Sequence, residues 1–301
     1  MADRRGTSPL VMALTLAGVV AVFLVGGWAA VSLMGAFYAT PAPSPLAPRT
    51  AAPSAARPAT ATASAGAGTT TTAAAGAGTT ITAAATTTPG RTYVVVVDAG
   101  HQRRENNTQE PIGPGSKQTK PAVASGTQGV VTHNPENVIN LAVSLKLRDI
   151  LEREPDVRVI MIRTTADVDI PNSERAKIAS RAHADLLIRV HCDGVADPKV
   201  HGLLTMVPAK NQWTAPIYDE SGKAGRIVQD ATLRTTGAAD RGILKVGYMS
   251  GFNWSTVPSV IVEMAVMTNP SDDRLLAEES YQAKLARGMA DGVVRYLHTP
   301  R

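Results

Sequence analysis

The sequence predicts an α/β fold, a single domain over residues 91–301 with a mostly parallel twisted sheet and helices on both of its faces. The first observation is a set of short, wholly apolar runs, of which Val94–Val97 is the clearest. Strands of this composition are buried on both faces, as in parallel sheets. The second observation is that stretches with apolar residues at helical spacing separate these runs, which is typical of a doubly wound sheet.

The predicted strands and helices alternate along the domain. Five strands are expected, at Tyr93–Val97, Val157–Ile162, Leu186–Val190, Gly202–Val207 and Pro258–Ala265. Four helices are expected, from Asn134-Pro135-Glu136 to about Leu151, from Asn172 or Ser173 to Ala182, around Ala224–Ala231 and around Tyr281–Val293. Asn134 is taken as the N-cap of the first helix and Pro135 as its first residue, because these residue types favour those positions.

A long polar segment follows the first strand. Residues Gln102–His133 hold several prolines and glycines and show no periodicity, so they are predicted as a loop. Loops of this length inside a domain are usually functional or disordered. The hypothesis for this segment is a lid over the active site.

The segment before the domain predicts attachment to a membrane. No side chain between Gly6 and Pro48 is charged, and the apolar core is longer than the roughly 20 residues that a helix needs to span a bilayer. We expect a cytoplasmic tail over residues 1–8, kept inside by Arg4 and Arg5, and an uncleaved transmembrane signal anchor over residues 9–39. The alternative is a cleaved signal peptide, which would give a secreted protein.

Residues 40–90 are predicted to be a disordered linker. They are mostly Ala, Thr, Pro, Ser and Gly, with Arg49 and Arg57 as the charged residues. So few large apolar side chains cannot offset the entropy of ordering the chain. The expected arrangement is a single-pass membrane protein whose domain is tethered on the cell-wall side of the cell membrane.

Composition excludes several classes of function. Lys and Arg number 30 against 25 Asp and Glu, and no basic run is interleaved with aromatic residues, so a nucleic-acid partner is not expected. Cys192 is the one cysteine of the chain, which rules out a disulfide framework or a cysteine-rich zinc site within one chain. A metal in this protein must therefore be held by histidine and carboxylate side chains.

Three residues of these types lie at or within the predicted strands. His101 follows the first strand, His191 follows the third, and Glu263 lies inside the last. Ligands of open α/β sheets bind outside the carboxyl ends of the strands, so the two histidines are expected at that edge. A buried unpaired carboxylate would cost several kcal/mol, so Glu263 needs a metal, a proton to exchange, or a cation. An ion pair with Arg175 or Arg189 is the alternative for Glu263.

Glu136 is the candidate third ligand, because the helix that it begins follows the first strand. Glu110 and His133 compete with it for this place. Two imidazoles and one carboxylate leave one position of a tetrahedral Zn²⁺ open to water, and zinc makes hydroxide available near neutral pH. Glu263 would then exchange the proton between the water and a leaving nitrogen, which is the chemistry of C–N bond hydrolysis.

These residues stand in segments that resemble the zinc-dependent N-acetylmuramoyl-L-alanine amidases of the Amidase_3 type. The segments are VVVVDAGHQ at Val94–Gln102, EPIGPGS at Glu110–Ser116, ENVINLAVSLKLRDIL at Glu136–Leu151, VRVIMIRTT at Val157–Thr165, NSERAKIAS at Asn172–Ser180, ADLLIRVHCDG at Ala184–Gly194, and NWSTVPSVIVEMAVMTNPSDDRLL at Asn253–Leu276. They cover most of the predicted domain and occur in the order of the family.

The resemblance implies a function and a set of roles. The substrate would be peptidoglycan, cut between N-acetylmuramic acid and the L-alanine of its stem peptide. The zinc ligands would be His101, Glu136 and His191, with Glu263 as catalytic acid and base and Arg175 as a further catalytic-site residue. The absence of a wall-binding repeat leaves targeting to the tether or to a regulatory protein partner. Two alternatives are a catalytically silent peptidoglycan-binding module and a zinc hydrolase of another exported amide.

The sequence departs from the family pattern at three places near these residues. Asp98-Ala99-Gly100-His101-Gln102 stands where the family often has Asp-Pro-Gly-His-Gly, a change expected to be harmless. Cys192 and Asp193 follow the second histidine, where the family often has a small residue and Asn, and Met264-Ala265 replaces a frequent Gly-Phe. Cys192 is expected to be a spectator on the opposite face of its strand. Trp213 and Trp254 are equally compatible with stacking on sugar rings and with packing. The remaining histidines, His133, His183, His201 and His298, are expected at the surface or in structural roles.

Overall fold

The computed structural model describes residues 91–300. The expected cytoplasmic tail, transmembrane anchor and linker, at residues 1–8, 9–39 and 40–90, lie outside the described residues. Within residues 91–300, no helix combines the length and the apolar character needed to cross a membrane.

All five predicted strands and four predicted helices are present, with ends shifted by a few residues. The strands are β1 Tyr93–Ala99, β2 Asn106–Pro111, β3 Thr119–Val123, β4 Val157–Met161, β5 Leu186–Asp193, β6 Leu203–Pro208, β7 Asp240–Val246 and β8 Ser259–Val266. The helices are α1 Glu136–Leu151, α2 Asn172–Arg181, α3 Tyr218–Thr236, α4 Ser250–Asn253, α5 Pro270–Ala277 and α6 Glu279–Leu297. The elements not predicted are β2, β3, β7, α4 and α5.

The main sheet has the strand order β4-β1-β5-β8-β6-β7. Strands β4, β1, β5 and β8 are parallel, which confirms the prediction of a mostly parallel sheet. The order departs from an all-parallel sheet at β6, which is antiparallel to β8, and β7 is parallel to β6. The amino ends of β6 and β7 therefore lie at the edge where β1, β5 and β8 have their carboxyl ends.

Helices cover both faces of the sheet, as predicted. On one face α1, α3 and α6 pack against alternate strand residues such as Val97, Ile188 and Val262. On the other face α2 packs near Val96 and Leu187, and α4 packs against β6 and β8. Successive strand residues point to opposite faces, so an uninterrupted apolar run supplies both cores.

The predicted cap of α1 is wrong by one residue. Pro135 is the N-cap, with extended backbone angles (φ −67°, ψ 140°), and Glu136 is the first helical residue. Pro135 forms a β-bridge with Gln128, and the backbone N–H of Glu136 donates to the carbonyl of Thr127 at 3.0 Å. Pairing with the preceding segment therefore satisfies this helix end, in place of an asparagine side chain.

The segment Gln102–His133 is more structured than predicted. It contains the antiparallel hairpin β2–β3, in which Gln109 pairs with Pro121. The Glu110 carboxylate fastens the hairpin to the domain by accepting from Ser250 Oγ at 2.7 Å and from the Ser173 backbone N–H at 3.1 Å. The hairpin was missed because β2 is polar and mostly exposed, with no alternation that would predict a strand.

Both tryptophans of the domain pack on this hairpin. The indole N–H of Trp213 donates to the carbonyl of Pro114, and that of Trp254 donates to the carbonyl of Pro111, each at 2.9 Å. The ring of Trp213 also lies against Gly113, where an added Cβ would be 2.6 Å from it. Of the two interpretations left open by the sequence, the structure therefore shows packing.

Candidate metal centre and active site

His101 lies in a tight turn directly after β1. Its backbone has φ of +58°, a left-handed conformation that is uncommon for a residue with a side chain and occurs often at active sites. The ring Nδ1 lies 2.8 Å from the carbonyl oxygen of Ala124, so Nδ1 carries the proton and donates it. The other ring nitrogen, Nε2, faces Glu136 Oε1 at 3.2 Å.

His191 lies on β5, and its ring packs flat against the turn that carries His101. A Cβ added at Gly100 would lie 2.3 Å from both Cε1 and Nε2 of His191, so this position admits no side chain. Nδ1 of His191 faces the same oxygen, Glu136 Oε1, at 3.2 Å. The two imidazoles lie edge to face, with their centroids 4.9 Å apart.

Glu136 brings its carboxylate to the two histidines from the first turn of α1. Oε1 accepts from the backbone N–H of Cys192 and from the Asn140 amide, both at 3.1 Å. Oε2 accepts from the backbone N–H of Thr127 at 2.9 Å. These donors fix the orientation of a carboxylate that is 2% exposed.

The electrostatics favour the metal-binding forms of His191 and Glu136. Burial lowers the pKa of His191 to about 4, so its ring is neutral near pH 7. Burial opposes ionisation of Glu136, but the neighbouring His101 and His191 outweigh it and hold its pKa well below the usual value. Burial by itself lowers the pKa of His101. The charge of Glu136 and its hydrogen bond to the ring outweigh burial, so the pKa of His101 lies above its usual value.

The three residues form a site that fits a metal ion. One candidate ligand atom from each of His101, Glu136 and His191 lies within 4.8 Å of the others. Two imidazole nitrogens and one carboxylate oxygen are the donor set of zinc sites that keep a position open. Neither alternative third ligand joins this cluster, because Glu110 is bound to Ser250 and Ser173, and His133 is exposed.

Glu263 lies next to His191 on the neighbouring strand. Glu263 of β8 pairs with His191 of β5 in the parallel register, so both side chains project from the same face. The carboxyl group is buried, and Oε2 has no hydrogen-bond partner in the described part of the chain. Burial raises the pKa of Glu263 well above its usual value, and the charges of Asp193 and Glu136 raise it further.

The ion-pair explanation for Glu263 is not what the structure shows. Arg175 and Arg189 both pair with Asp98, at 2.7 and 2.8 Å. Glu263 is left as a buried, proton-binding carboxyl group at the edge of the histidine cluster. Such a perturbed acid beside a metal-competent cluster marks a candidate active site.

Comparison of the sequence with models of known protein families identifies the family of this chain. The profile of the Amidase_3 family, described as N-acetylmuramoyl-L-alanine amidase, matches residues 95–295. The chain belongs to this family. The resemblance of the motifs to the Amidase_3 family is thereby confirmed, and membership identifies the chain as an amidase of cell-wall peptidoglycan.

Relatives and solved structures agree with this membership. An N-acetylmuramoyl-L-alanine amidase of Mycobacterium tuberculosis is 28% identical over 232 residues, covering 71% of this chain and 91% of the relative. The crystal structure of the amidase Ami1 from Mycobacterium smegmatis superposes with a TM-score of 0.62 at 24% identity, covering 69% of this chain and 97% of that one. The CwlD amidase of Clostridioides difficile, solved in complex with the GerS lipoprotein, shares the fold with a TM-score of 0.55 at 21% identity, covering 68% and 98%.

Arg175 is fully buried in the amidase, beneath the turn that carries His101. Besides Asp98, it donates to the carbonyls of Ala99 and His101 at 3.1 Å and to that of Ile170 at 2.9 Å. Its side chain is 1% exposed. The sequence placed Arg175 among the catalytic residues, but its donors are engaged by the protein, and this geometry supports a positioning role.

Asp98 is the acceptor that holds this arginine pair together. Burial opposes its ionisation, but the Arg175 and Arg189 guanidinium groups on either side hold the pKa of Asp98 far below its usual value. The last polar residue of β1 is therefore ionised and locks α2 and β5 onto the strand that presents His101.

Sequence reasoning missed a third buried arginine below the amidase site. Arg163 follows β4 and donates to the carbonyls of Ala99, Gly100 and Asn137 at 2.7, 2.9 and 2.8 Å. It thus ties the His101 turn to the start of α1. An arginine immediately after a buried strand was the available signal, since the carboxyl ends of neighbouring parallel strands meet at one edge.

The segment after β3 was also missed as part of the amidase site. Gly126 covers the ligands so closely that an added Cβ would lie 3.0 Å from Glu136 Oε2 and 3.1 Å from His101 Cγ. Farther along, the backbone N–H groups of Val131 and Thr132 donate to Asp273 at 2.7 and 2.8 Å. These contacts place residues 124–134 along one side of the site, and the lid hypothesis for the whole segment Gln102–His133 stays a prediction.

Cys192 and the remaining histidines lie away from the cluster. Cys192 packs in the core on the opposite face of β5, and burial raises the pKa of its thiol well above the usual value. His133, His183 and His201 are exposed. His298 pairs with Asp156 at the surface.

Proposed function

We propose that this amidase is zinc-dependent and hydrolyses the amide bond between N-acetylmuramic acid and L-alanine of the stem peptide. The observation that supports it is the convergence of His101, Glu136 and His191 beside the buried carboxyl of Glu263. Family membership supports the substrate class.

Contacts within the protein orient the three proposed ligands. The Ala124 carbonyl fixes the tautomer of His101, and the Thr127 N–H and Asn140 amide hold the Glu136 carboxylate. Partners of this kind orient ligands, and losing one typically weakens metal binding by about 10–100-fold. A zinc ion in such a site lowers the pKa of water and polarises an amide carbonyl.

Glu263 would carry the proton of the reaction. Its carboxylate accepts a proton from the attacking water as the water oxygen bonds to the amide carbon. The carboxylic acid then gives this proton to the nitrogen of L-alanine as the C–N bond breaks, so that the products are a lactyl carboxylate and an amine. The raised pKa of Glu263 means that this carboxyl group takes up a proton more readily than an ordinary carboxylate, as a proton carrier must.

Arg175 would contribute by holding the His101 turn in its strained conformation. It donates to the carbonyls on both sides of Gly100 and to Asp98, and its remaining donors are engaged by Ile170 and Gln102. We propose it as a positioning residue.

The expected location is the outer side of the cell membrane, with the domain tethered through residues 40–90 and an anchor over residues 9–39. The uncharged apolar run and the linker composition support this proposal. A regulatory protein partner is also proposed, and the lipoprotein bound to the Clostridioides difficile amidase is a related case.

The test uses the full-length protein purified in detergent. Zinc content is measured by elemental analysis, and products released from peptidoglycan are identified by mass spectrometry as free stem peptides. Wild type is expected to hold one zinc and release stem peptides, whereas Glu263→Gln should hold zinc and release none. Binding to peptidoglycan without release would indicate the silent binding module, and turnover of other N-acyl amides alone would indicate a different hydrolase.

A further inference from the structure

An arginine that the proposed mechanism does not use lies close to Glu263. Arg241 is the second residue of β7, and its Nη2 pairs with Asp193 Oδ2 at 2.7 Å. Its Nη1 is buried and has no hydrogen-bond partner within residues 91–300. The guanidinium therefore has one side fixed by the protein and one free donor side.

The strand order brings this side chain to the active-site edge. Because β6 and β7 run opposite to β8, the start of β7 lies where β8 approaches its carboxyl end. Leu203 pairs with Asp240 on one side, and its neighbour Leu204 pairs with Glu263 on the other. The salt bridge from β7 to Asp193 at the end of β5 spans both intervening strands, one of which carries Glu263.

A bulge in β7 aims the Arg241 side chain. Between the paired positions, β6 advances from Leu203 to Thr205 while β7 advances from Asp240 to Ile243, so β7 contains one extra residue. Gly242 within this bulge has φ of +79°, and an added Cβ would meet nothing within 4 Å. The glycine is thus needed for its backbone conformation, and bulges beside active sites commonly redirect a side chain.

The free donor of Arg241 and the free acceptor of Glu263 do not satisfy each other. Both atoms are buried and unpartnered, and the two side chains form no salt bridge. A buried charged donor without an acceptor is destabilising, and such groups in native structures call for an explanation. An oxygen of a bound molecule beside Glu263 would complete the hydrogen bonding of the guanidinium.

We infer that Nη1 of Arg241 binds a carbonyl or carboxylate oxygen of the substrate next to the scissile amide, while Asp193 holds the guanidinium in place. The pair is a substrate clamp on the side of Glu263 opposite His191. Charge supports this assignment. Asp193 is the counter-ion of the guanidinium, so Arg241 stays charged without an ionised Glu263, and Nη1 remains as a donor in a fixed direction. The inference rests on the proposed function, since it places the substrate at Glu263.

A purely structural clasp between β7 and β5 is the competing account. In that case Arg241 would matter only for folding, and its loss would lower stability without affecting substrate binding. The experiment therefore measures binding separately from turnover and from stability.

The full-length zinc-loaded protein is studied with a soluble N-acetylmuramoyl peptide. Binding is measured by calorimetry in the Glu263→Gln background, with and without Arg241→Gln, and kcat and KM are measured with Glu263 intact. Glutamine retains an amide donor for Asp193 but removes the free cationic donor. A hydrogen bond to a charged group contributes about 1.5–3 kcal/mol, so Kd should rise about 10–150-fold, with zinc content unchanged. With Glu263 intact, KM should rise or kcat/KM should fall by a comparable factor.

Lys245→Gln is the matched control. It removes the same charge from the same strand at an exposed position, where Lys245 contacts Tyr218. Its Kd should equal that of the parent. If Lys245→Gln weakened binding as much as Arg241→Gln does, the effect would be a general attraction between positive charge and an anionic ligand, and the inference would be overturned. Arg241→Lys, which keeps the charge opposite Asp193, is expected to fold normally and still bind weakly; it serves if Arg241→Gln proves unstable.

Two peptides identify the oxygen. One has free carboxylates and the other has them blocked as amides. If Arg241→Gln loses affinity only for the peptide with free carboxylates, Arg241 binds a carboxylate. If it loses the same affinity for both peptides, Arg241 binds a carbonyl.

An unchanged Kd in folded Arg241→Gln, with the wild type active, would refute the inference alone. Binding that depends on Arg241 without any cleavage by the wild type would refute the proposed function and leave the inference standing.

Discussion

The ring of His191 occupies the space where Gly100 would carry a side chain. A Cβ at Gly100 would lie 2.3 Å from two atoms of the imidazole, so one candidate metal ligand packs directly on the turn that presents the other. His191 can lie this close to His101 only because Gly100 has no Cβ. The glycine of the Asp-Ala-Gly-His sequence is therefore a requirement of the site.

Gly100→Ala should lose zinc and stability together, because the added methyl group must displace His191. Zinc content per chain and the thermal unfolding temperature measure the two effects. Gly222→Ala is the control, since it lies inside α3 with the nearest atom, Arg226 Nη2, 4.0 Å from the added Cβ. That change should stabilise the protein by up to about 1 kcal/mol through helix propensity. Retention of full zinc by Gly100→Ala would contradict the packing argument.

Glu136→Gln should weaken zinc binding by more than about 100-fold, exceeding the typical loss for a supporting residue. The amide removes the negative ligand, and its NH₂ group must face donors such as the Cys192 and Thr127 N–H groups. Competition with a chelator of known affinity measures the change. Glu110→Gln, at the alternative third ligand, should keep wild-type affinity, and the reverse result would exchange the two assignments.

Glu263→Met should abolish turnover and stabilise the fold of the zinc-free protein by about 1–2 kcal/mol. Replacing a buried carboxyl that has an unpaired oxygen by an apolar side chain of similar length removes a desolvation penalty. Denaturant unfolding measures the free energy. Glu110→Met is the matched control, because Glu110 is equally buried at 7% but accepts hydrogen bonds from Ser250 and Ser173. Glu110→Met should lower the free energy of unfolding, because it removes these hydrogen bonds. If Glu110→Met and Glu263→Met changed the free energy of unfolding in the same direction, this account would be contradicted.

Arg175→Met should destabilise the domain by about 3–5 kcal/mol, because it leaves Asp98 buried with only one of its two cations. Urea unfolding at pH 7 gives the number. Arg181→Met, on the same helix but with its side chain 61% exposed, should change stability by no more than about 0.5 kcal/mol. If Arg175 touched substrate instead, Arg175→Met would raise KM with little loss of stability.

His298→Gln should lower stability at pH 5.5 and leave it nearly unchanged at pH 9. The hydrogen bond to Asp156 raises the pKa of His298 above 6.5, so its contribution is fully present below 6.5 and disappears as pH rises through the folded-state pKa. The side chain is 47% exposed, which limits the effect to about 0.2–1 kcal/mol. Thermal unfolding over this pH range measures it. Asp156→Asn should reproduce the same pH dependence, and a difference that is constant with pH would exclude the ion pair as its source.

Local patterns predicted most of the fold and the members of the candidate site. Uninterrupted apolar runs located β1, β5 and β8, because strands covered on both faces need apolar side chains on both. The rule that such strands end at a common edge brought His101 and His191 together before their distance was known. Glu263 was conspicuous because a carboxyl group inside an apolar run requires a specific reason.

Polar elements and antiparallel order were not visible in the sequence. The hairpin β2–β3 and strand β7 lack the apolar periodicity that predicts a strand, since their stability comes from contacts such as Glu110 with Ser250. Nothing local to β6 shows that it runs against β8, and this reversal is what carries Arg241 to the active-site edge.

The sequence by itself determined the class of fold, the family motifs and the identities of the candidate metal ligands, because these depend on residue type and short-range spacing. Only the tertiary structure decided that Arg175 and Arg189 pair with Asp98, that Glu263 keeps a free oxygen, and that Arg241 lies beside it. The physical reason is that the partner of a buried charge is set by three-dimensional packing between segments far apart in the chain, which no local pattern records.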